Sequence, residues 1–231
     1  MMKKQWTIAF DADDTLWHNE RGFQMTQARF AQMLAEETDS DTLMARLLAA
    51  EQRNLAIYGF GVKGFVLSMI ETAIEVTDGR VSTDTIADLL AMGRAMLANP
   101  VELLDGVRPA IEAVAPHAHV LLITKGDLLD QERKLAQSGL GDLFDHVEIV
   151  SDKTTDIYTH IFARFDTAHH MMVGNSVKSD VIPALAAGAW GIHVPHDLTW
   201  AYEAAEPPVE HRRFRQITSL TELPALVASL S

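Results

Sequence analysis

The 231-residue chain contains no cysteine, which excludes disulfides, thiolate nucleophiles and Cys-ligated zinc or iron-sulfur sites. That absence fits a reducing compartment, and a cytoplasmic location is expected. Basic residues are also scarce: 19 Lys and Arg stand against 32 Asp and Glu, for a formal net charge of -13 at pH 7. This balance works against adhesion to nucleic acid and to anionic membranes, so neither is expected as a partner. An anionic substrate would have to be met by a few cations gathered in one place. Long hydrophobic runs are missing as well. Lys3 and Lys4 precede an apolar stretch, but Asp11 arrives too early for a signal-peptide core or a membrane span. No internal repeat or low-complexity tract is present, and 48% hydrophobic content is ample for a packed interior in a soluble protein.

What is present changes texture along the chain. An apolar run ends at Asp11, and helical periodicity then covers Phe23 to Leu34, Thr42 to Ile57, Val62 to Val76 and Thr83 to Leu97. This block, residues 19–99, reads as an all-helical insertion. After it, short apolar runs (Val120 to Ile123, Val147 to Val150, Met171 to Val173, Gly191 to Val194) alternate with helical stretches at Leu128 to Gln137, Asp156 to Phe165 and Val177 to Ala187. The rhythm is βαβ, so residues 1–18 and 100–231 are expected to form an α/β core, a Rossmann-like parallel sheet flanked by helices. A surface loop at Glu206 to Val209 and a last helix near Leu220 to Leu230 complete the reading.

The chemistry concentrates where each run ends. Asp11, Asp13 and Asp14 crowd into four positions, and strand alternation would aim Asp11 and Asp13 the same way at the strand's C-terminal end, where ligands of open α/β sheets bind. Two like charges repel unless a divalent metal or a basic side chain compensates. Thr124, Lys125 and Gly126 follow the second run and offer a hydroxyl and backbone N-H groups for an anion. Lys153 follows the third. Gly174, Asn175 and Ser176 follow the fourth, with Asp180 about a turn further on. Singly these are an ordinary helix cap, a solvated lysine and a turn; their recurrence after successive strands gives them weight.

In that order the residues resemble the haloacid dehalogenase superfamily of hydrolases over nearly the whole chain. The resemblance implies Asp11 as nucleophile, Asp13 as acid/base residue, Thr124 and Lys153 as phosphate-binding groups, and the Gly174 to Asp180 stretch as a metal loop. It also implies Mg2+ as cofactor, with Asp11, Asp13 (through its carbonyl), Asn175 and Asp180 as its ligands, and the helical block as a cap hinged near Leu16 to Asn19 and Asn99 to Leu103. The activity implied is phosphoric monoester hydrolysis of a small phosphorylated metabolite through an aspartyl-phosphate. Lys125, Gly126, Trp17 and His18 are candidates for substrate contact, as are Arg21, Tyr58, Phe60 and Lys63.

Two spellings depart from the family pattern. Asn175 stands where an aspartate is usual, removing one negative charge from the metal loop, and Lys153-Thr154-Thr155-Asp156 replaces a Lys-Pro-x-Pro sequence. Dehalogenation on the same aspartate is the nearest alternative, but halide departure needs no proton and dehalogenases lack the second aspartate. A phosphonate hydrolase would require Lys63 as a Schiff-base lysine. Phosphotransfer and a noncatalytic phosphate-binding module are further alternatives. The Asp11 to Thr15 spelling looks like that of pyrimidine nucleotidases, while nucleoside monophosphates, sugar phosphates and phosphoglycolate all stay open, as does oligomeric state. His117, His119, His169 and His170 flank strand starts, opposite the site, and are expected to be structural or solvated. Met25, Met33, Met44, Met69, Met92 and Met96 are expected as core fillers of the helical block.

Overall fold

A computed structural model describes residues 4–230, so Lys3 of the N-terminal basic pair lies outside the described residues. The elements are, in chain order, β1 (Trp6–Phe10), α1 (Glu20–Met33), α2 (Ser40–Tyr58), α3 (Val62–Val76), α4 (Thr83–Ala98), α5 (Val107–Val114), β2 (Ala118–Lys125), α6 (Leu128–Ser138), β3 (His146–Val150), α7 (Thr155–Phe162), β4 (His169–Gly174), a π-helical turn (Val177–Val181), α8 (Ile182–Ala186), β5 (Trp190–His193), β6 (Phe214–Gln216) and α9 (Leu223–Leu230). Three-residue 3-10 turns occur at Gly141–Leu143, Ala201–Glu203 and Leu220–Glu222.

The six strands form one wholly parallel sheet in the order β3-β2-β1-β4-β5-β6. The chain winds outward first to one side of β1 and then to the other. The C-terminal ends of β1, β2 and β4 therefore meet where the strand order reverses, the place at which open α/β sheets bind ligands. Every residue of β1 is buried, as expected of a central strand covered on both faces. Alternation sorts the side chains: Ile8, Phe10, Val120, Leu122, Met171 and Val173 pack with α5 and α9, whereas Ala9, Leu121, Ile123 and Met172 pack with Tyr158, Ile161 and Phe162 of α7 and Ala184 of α8. His169 lies 4.7 Å from Trp6, ring to ring, and His170 stacks on Phe162, so both serve packing at the strand starts.

The chain divides into two compact units: Met1–His18, Val101–Lys125 and Gln131–Ser231 carry the sheet, and Asn19–Pro100 with Gly126–Asp130 form the other. The second unit is built from α1 to α4 around Phe30, Leu43, Leu47, Phe65, Met69 and Leu89. Side-chain caps start α2 and α4, where Asp39 accepts from Thr42 N at 2.9 Å and Ser82 from Thr85 N at 2.9 Å. A Cβ on Gly93 of α4 would stand 2.4 Å from Val66 Cγ2 of α3, so glycine is what lets these helices approach closely. Of the methionines expected inside, Met69 and Met92 are buried, but Met25 is 63% exposed and has no place in this core.

Helix α5 and strand β6 carry little sequence signal. The first has eight residues with Pro109 inside its first turn, and the second is the edge triplet Phe214-Arg215-Gln216. The single helix expected over Val177 to Ala187 is instead a π-helical turn followed by α8, which has Pro183 in its opening turn. Among the described residues no helix is long and apolar enough to cross a membrane.

Candidate active site

Strand β1 ends at Phe10, and the chain then folds tightly on itself. Thr15 N and Leu16 N donate to Ala12 O at 3.3 and 2.8 Å, and Asp14 N donates to Trp17 O at 2.8 Å. Asp14 sits at φ 61°, a left-handed conformation that aspartate tolerates better than most residues. Strand alternation therefore does not reach Asp13, and the two carboxylates take separate sets of partners.

Asp11 belongs to a buried cluster. Lys153 Nζ donates to Asp11 Oδ1 and, at 2.7 Å, to Asp180 Oδ1. Asp11, Lys153 and Asp180 are only 7%, 5% and 1% exposed, so one ammonium holds together two carboxylates shut off from water. The far oxygen of Asp180 accepts from Ser176 N at 2.9 Å. Thr15 Oγ1 lies 3.1 Å from Asp11 Oδ2 and 3.2 Å from Asn175 Oδ1, sharing one proton between two acceptors, and accepts from Asn175 N at 3.0 Å. Burial pushes the Asp11 carboxyl up to about 7; Lys153 opposes the rise and the Asp180 charge adds to it. Burial alone would lower the Lys153 ammonium, but the Asp11 and Asp180 charges outweigh it, and the net shift is upward.

Glycine at 174 makes this cluster possible. A Cβ there would lie 2.2 Å from Asp180 Oδ2, 2.4 Å from its Cγ and 2.7 Å from its Cβ, so the carboxyl occupies space that any other residue would fill. Among the described residues no group of three or more His, Cys, Asp or Glu side chains is arranged around a metal position. Beside Asp11 and Asp180 the donors on offer are oxygens, the two carboxylates, the Asn175 amide oxygen and main-chain carbonyls, a hard set that suits a small divalent cation, while His193 Nε2 at the end of β5 lies 3.0 Å from Asn175 O. The bridging ammonium shows that the pair of carboxylates calls for positive charge.

Asp13 has its own cation. Its Oδ1 accepts from Trp17 Nε1 at 2.7 Å and Lys134 Nζ at 2.9 Å, and its Oδ2 accepts from Gln131 Nε2 at 2.8 Å and Lys134 Nζ at 3.1 Å. Burial acts to raise this carboxyl, yet Lys134, Gln131 and Trp17 together hold it below the usual range. Gln131 Oε1 is buried without a hydrogen-bond partner.

The remaining sequence candidates spread out. Thr124 is buried at the end of β2, paired in register with Ile149. Gly126 has φ 146° and follows that strand directly. Lys125 turns to Ser179 Oγ (2.7 Å) and Glu203 Oε1 (2.5 Å), and thereby engages protein partners. Trp17 is 1% exposed and spends its N-H on Asp13. His18 is exposed, its ring 5.9 Å from that of His196, whose Nε2 lies 3.7 Å from Asp14 Oδ1. Thr15, Gln131, Lys134 and Glu203 were not marked as site residues by sequence, while Ser176 and Ser179 fall within the stretch expected as a metal loop. Thr15 had a signal in its place beside the aspartates, whereas mid-helix Gln131 and Lys134 and the distant Glu203 had none.

A family model described as haloacid dehalogenase-like hydrolase matches residues 7–188. A haloacid dehalogenase-like family hydrolase from Xanthomonas campestris shares 41% identity and superposes with a TM-score of 0.88, over 99% of this chain and 93% of that one. A protein described as a predicted phosphoglycolate phosphatase from Haemophilus somnus (14% identity, TM-score 0.65, covering 98% and 100%) and a 2-haloacid dehalogenase from Pseudomonas syringae pv. Tomato (20%, 0.59, covering 100% of both) share the fold. No match was found among curated proteins. The matched span takes in Asp11, Asp13, Thr124, Lys153, Asn175 and Asp180, and the chain belongs to the haloacid dehalogenase-like hydrolases.

Proposed function

We propose that this hydrolase is a Mg2+-dependent phosphatase that cleaves a small phosphorylated metabolite through an aspartyl-phosphate on Asp11. The observation that carries this reading is Asp13, a second carboxylate two residues on that is hydrogen-bonded through both oxygens and paired with Lys134. A halide leaves a carbon centre without a proton, so dehalogenation has no use for such a group as a general acid; an alkoxide leaving a phosphate does.

Asp11, Asp180, Asn175 and the Asp13 carbonyl would hold Mg2+, which when bound supplies positive charge against the phosphate oxygens. The chain's own groups do the rest. An Asp11 carboxylate oxygen attacks phosphorus in line, the ester P-O bond breaks, and the departing oxygen takes the proton from Asp13. Water then gives a proton to the Asp13 carboxylate as it attacks the same phosphorus, releasing inorganic phosphate and restoring Asp11. Lys134, Gln131 and Trp17 favour the ionised Asp13, the form used as base in this second step, whereas the first step uses the protonated form, which the negative charge of a bound phosphate ester would favour. Lys153 and Thr124 are assigned to the transferring phosphoryl group, whose charge would draw the Lys153 ammonium from its present carboxylate partners. The substrate class and the cytoplasmic setting belong to the same proposal. Replacing Asp11 by Asn tests it: turnover is expected to vanish while the protein stays folded, and unchanged turnover sinks the mechanism.

A further inference from the structure

We propose that Glu203 is a positioning residue for Asp180 and thereby for metal affinity, acting from the 3-10 turn that follows β5. The inference rests on the phosphatase reading above, because it gives Asp180 its role.

Glu203 closes the 3-10 turn that follows β5 and its side chain is 12% exposed. Both oxygens are engaged. Oε1 accepts from Lys125 Nζ at 2.5 Å, and Oε2 accepts from Ser176 Oγ at 2.6 Å and Ser179 Oγ at 2.5 Å. Lys125 Nζ also donates to Ser179 Oγ at 2.7 Å, which closes a ring of hydrogen bonds among Lys125, Ser179 and Glu203, with Ser176 attached to it through Glu203 Oε2.

The residues of this network come from the elements that carry the candidate site. Lys125 neighbours Thr124 at the end of β2, and Ser176 and Ser179 bracket the first turn of the segment ending in Asp180. Ser176 holds Asp180 through its N-H, at 2.9 Å from Asp180 Oδ2, and through its carbonyl, at 2.9 Å from Asp180 N. A second tie runs alongside: Lys178 Nζ donates to Tyr202 O at 2.7 Å and lies 3.5 Å from the centre of the Tyr202 ring. Tyr158 OH donates to Ser179 O at 3.0 Å from the α7 side.

This support matters because the π-helical turn it holds carries Asp180, and such turns are rare and frequent at functional sites. Asp180 does not touch Glu203; the influence passes through Ser176 and Ser179. Outer partners of metal ligands commonly change affinity by about 10- to 100-fold when removed, since a loose ligand must be ordered as the ion binds. Gln at 203 keeps the shape and can still accept from the two serines, but it gives up the charge that faces Lys125.

The test titrates metal-stripped full-length protein with MgCl2 by calorimetry, and follows Mg2+-dependent hydrolysis of an aryl phosphate in parallel. Glu203→Ala is expected to weaken Mg2+ binding by up to about 10-fold, the low end for an outer partner, because it reaches Asp180 through the two serines. Ser179→Ala, which removes one of the two serine donors and keeps the fold should Glu203→Ala fail to, is expected to weaken it less. Glu203→Gln should recover part of the loss. In both Glu203 variants, kcat at saturating Mg2+ is expected to stay within about twofold of the unmodified chain, a split that general loss of structure would not produce. Unaltered Mg2+ affinity in folded Glu203→Ala and Ser179→Ala overturns the inference and leaves the phosphatase reading standing. An unmodified protein that neither binds Mg2+ nor hydrolyses the ester overturns both.

Discussion

Removing the ammonium of Lys153 is expected to be among the most damaging single changes in this protein. Lys153 is 5% exposed and sits between Asp11 at 7% and Asp180 at 1%, donating to one oxygen of each. Lys153→Met keeps the length and apolar character of the stem, so what is lost is one charge and two hydrogen bonds. Breaking a buried ion pair from one side costs about 3–5 kcal/mol, because the partner charge stays behind in a poorly solvated place. Here two carboxylates stay behind. Against a typical stability of about 5–15 kcal/mol this is a large share, and for a chain of this size it corresponds to a fall in Tm of roughly 6–20 °C. Urea unfolding at pH 8 in the presence of a chelator would measure it. The sign of the pH dependence follows from Asp11, whose carboxyl is already pushed up to about 7 and rises further without the lysine. The penalty should be largest above that range and shrink as the pH falls and Asp11 takes up a proton. Asp180→Asn introduced into Lys153→Met should recover part of the loss by removing one of the stranded charges. A Lys153→Met protein within about 1 kcal/mol of the unmodified chain at pH 8 would refute the argument that the cluster depends on this cation.

Gly174→Ala places a Cβ on the Asp180 carboxyl, so it should cost about 1–3 kcal/mol in denaturant unfolding and weaken Mg2+ binding; an alanine variant with unchanged affinity would show that Asp180 is not needed where it lies. Asp13→Asn should lower hydrolysis of an alkyl phosphate by about 10²- to 10⁴-fold, with circular dichroism unchanged. Glu203, despite the upward push of burial, is held below its ordinary 4.5 by Lys125 and the two serines. The stability it contributes is therefore complete above about pH 4.5 and lost as the pH falls through its folded value, so Glu203→Gln should flatten the acid dependence of Tm below that point.

The fold could be read from the sequence because its strongest signals are periodic. Four helices of the inserted block and four strands after it have apolar residues at regular spacing, and tertiary packing left those patterns intact. The block's unity with residues 126–130 could not be read, since no local pattern marks which unit a short turn joins. Within the candidate site, Asp11, Lys153, Asp180 and Asn175 were visible because each follows a strand, and a parallel sheet gathers strand ends by construction. The partners of Asp13 were hidden. Lys134 and Gln131 lie inside α6, where a charged and a polar residue look like any solvated helix face. Trp17, expected near the substrate, proved to be a buried donor to Asp13, and Lys125, expected to meet substrate, turned to Glu203 across 78 residues of chain. Long-range polar contacts of this kind leave no periodic trace, so only coordinates reveal them.

Metal-stripped protein and its Asp11→Asn variant, assayed against a generic aryl phosphate with and without millimolar Mg2+, put the nucleophile and the metal to the same test. Phosphate release by the unmodified chain alone, and only with Mg2+ present, is the expected result. Equal release by both proteins, or none from the unmodified chain across a panel of phosphate esters at saturating Mg2+, would contradict the proposed phosphatase.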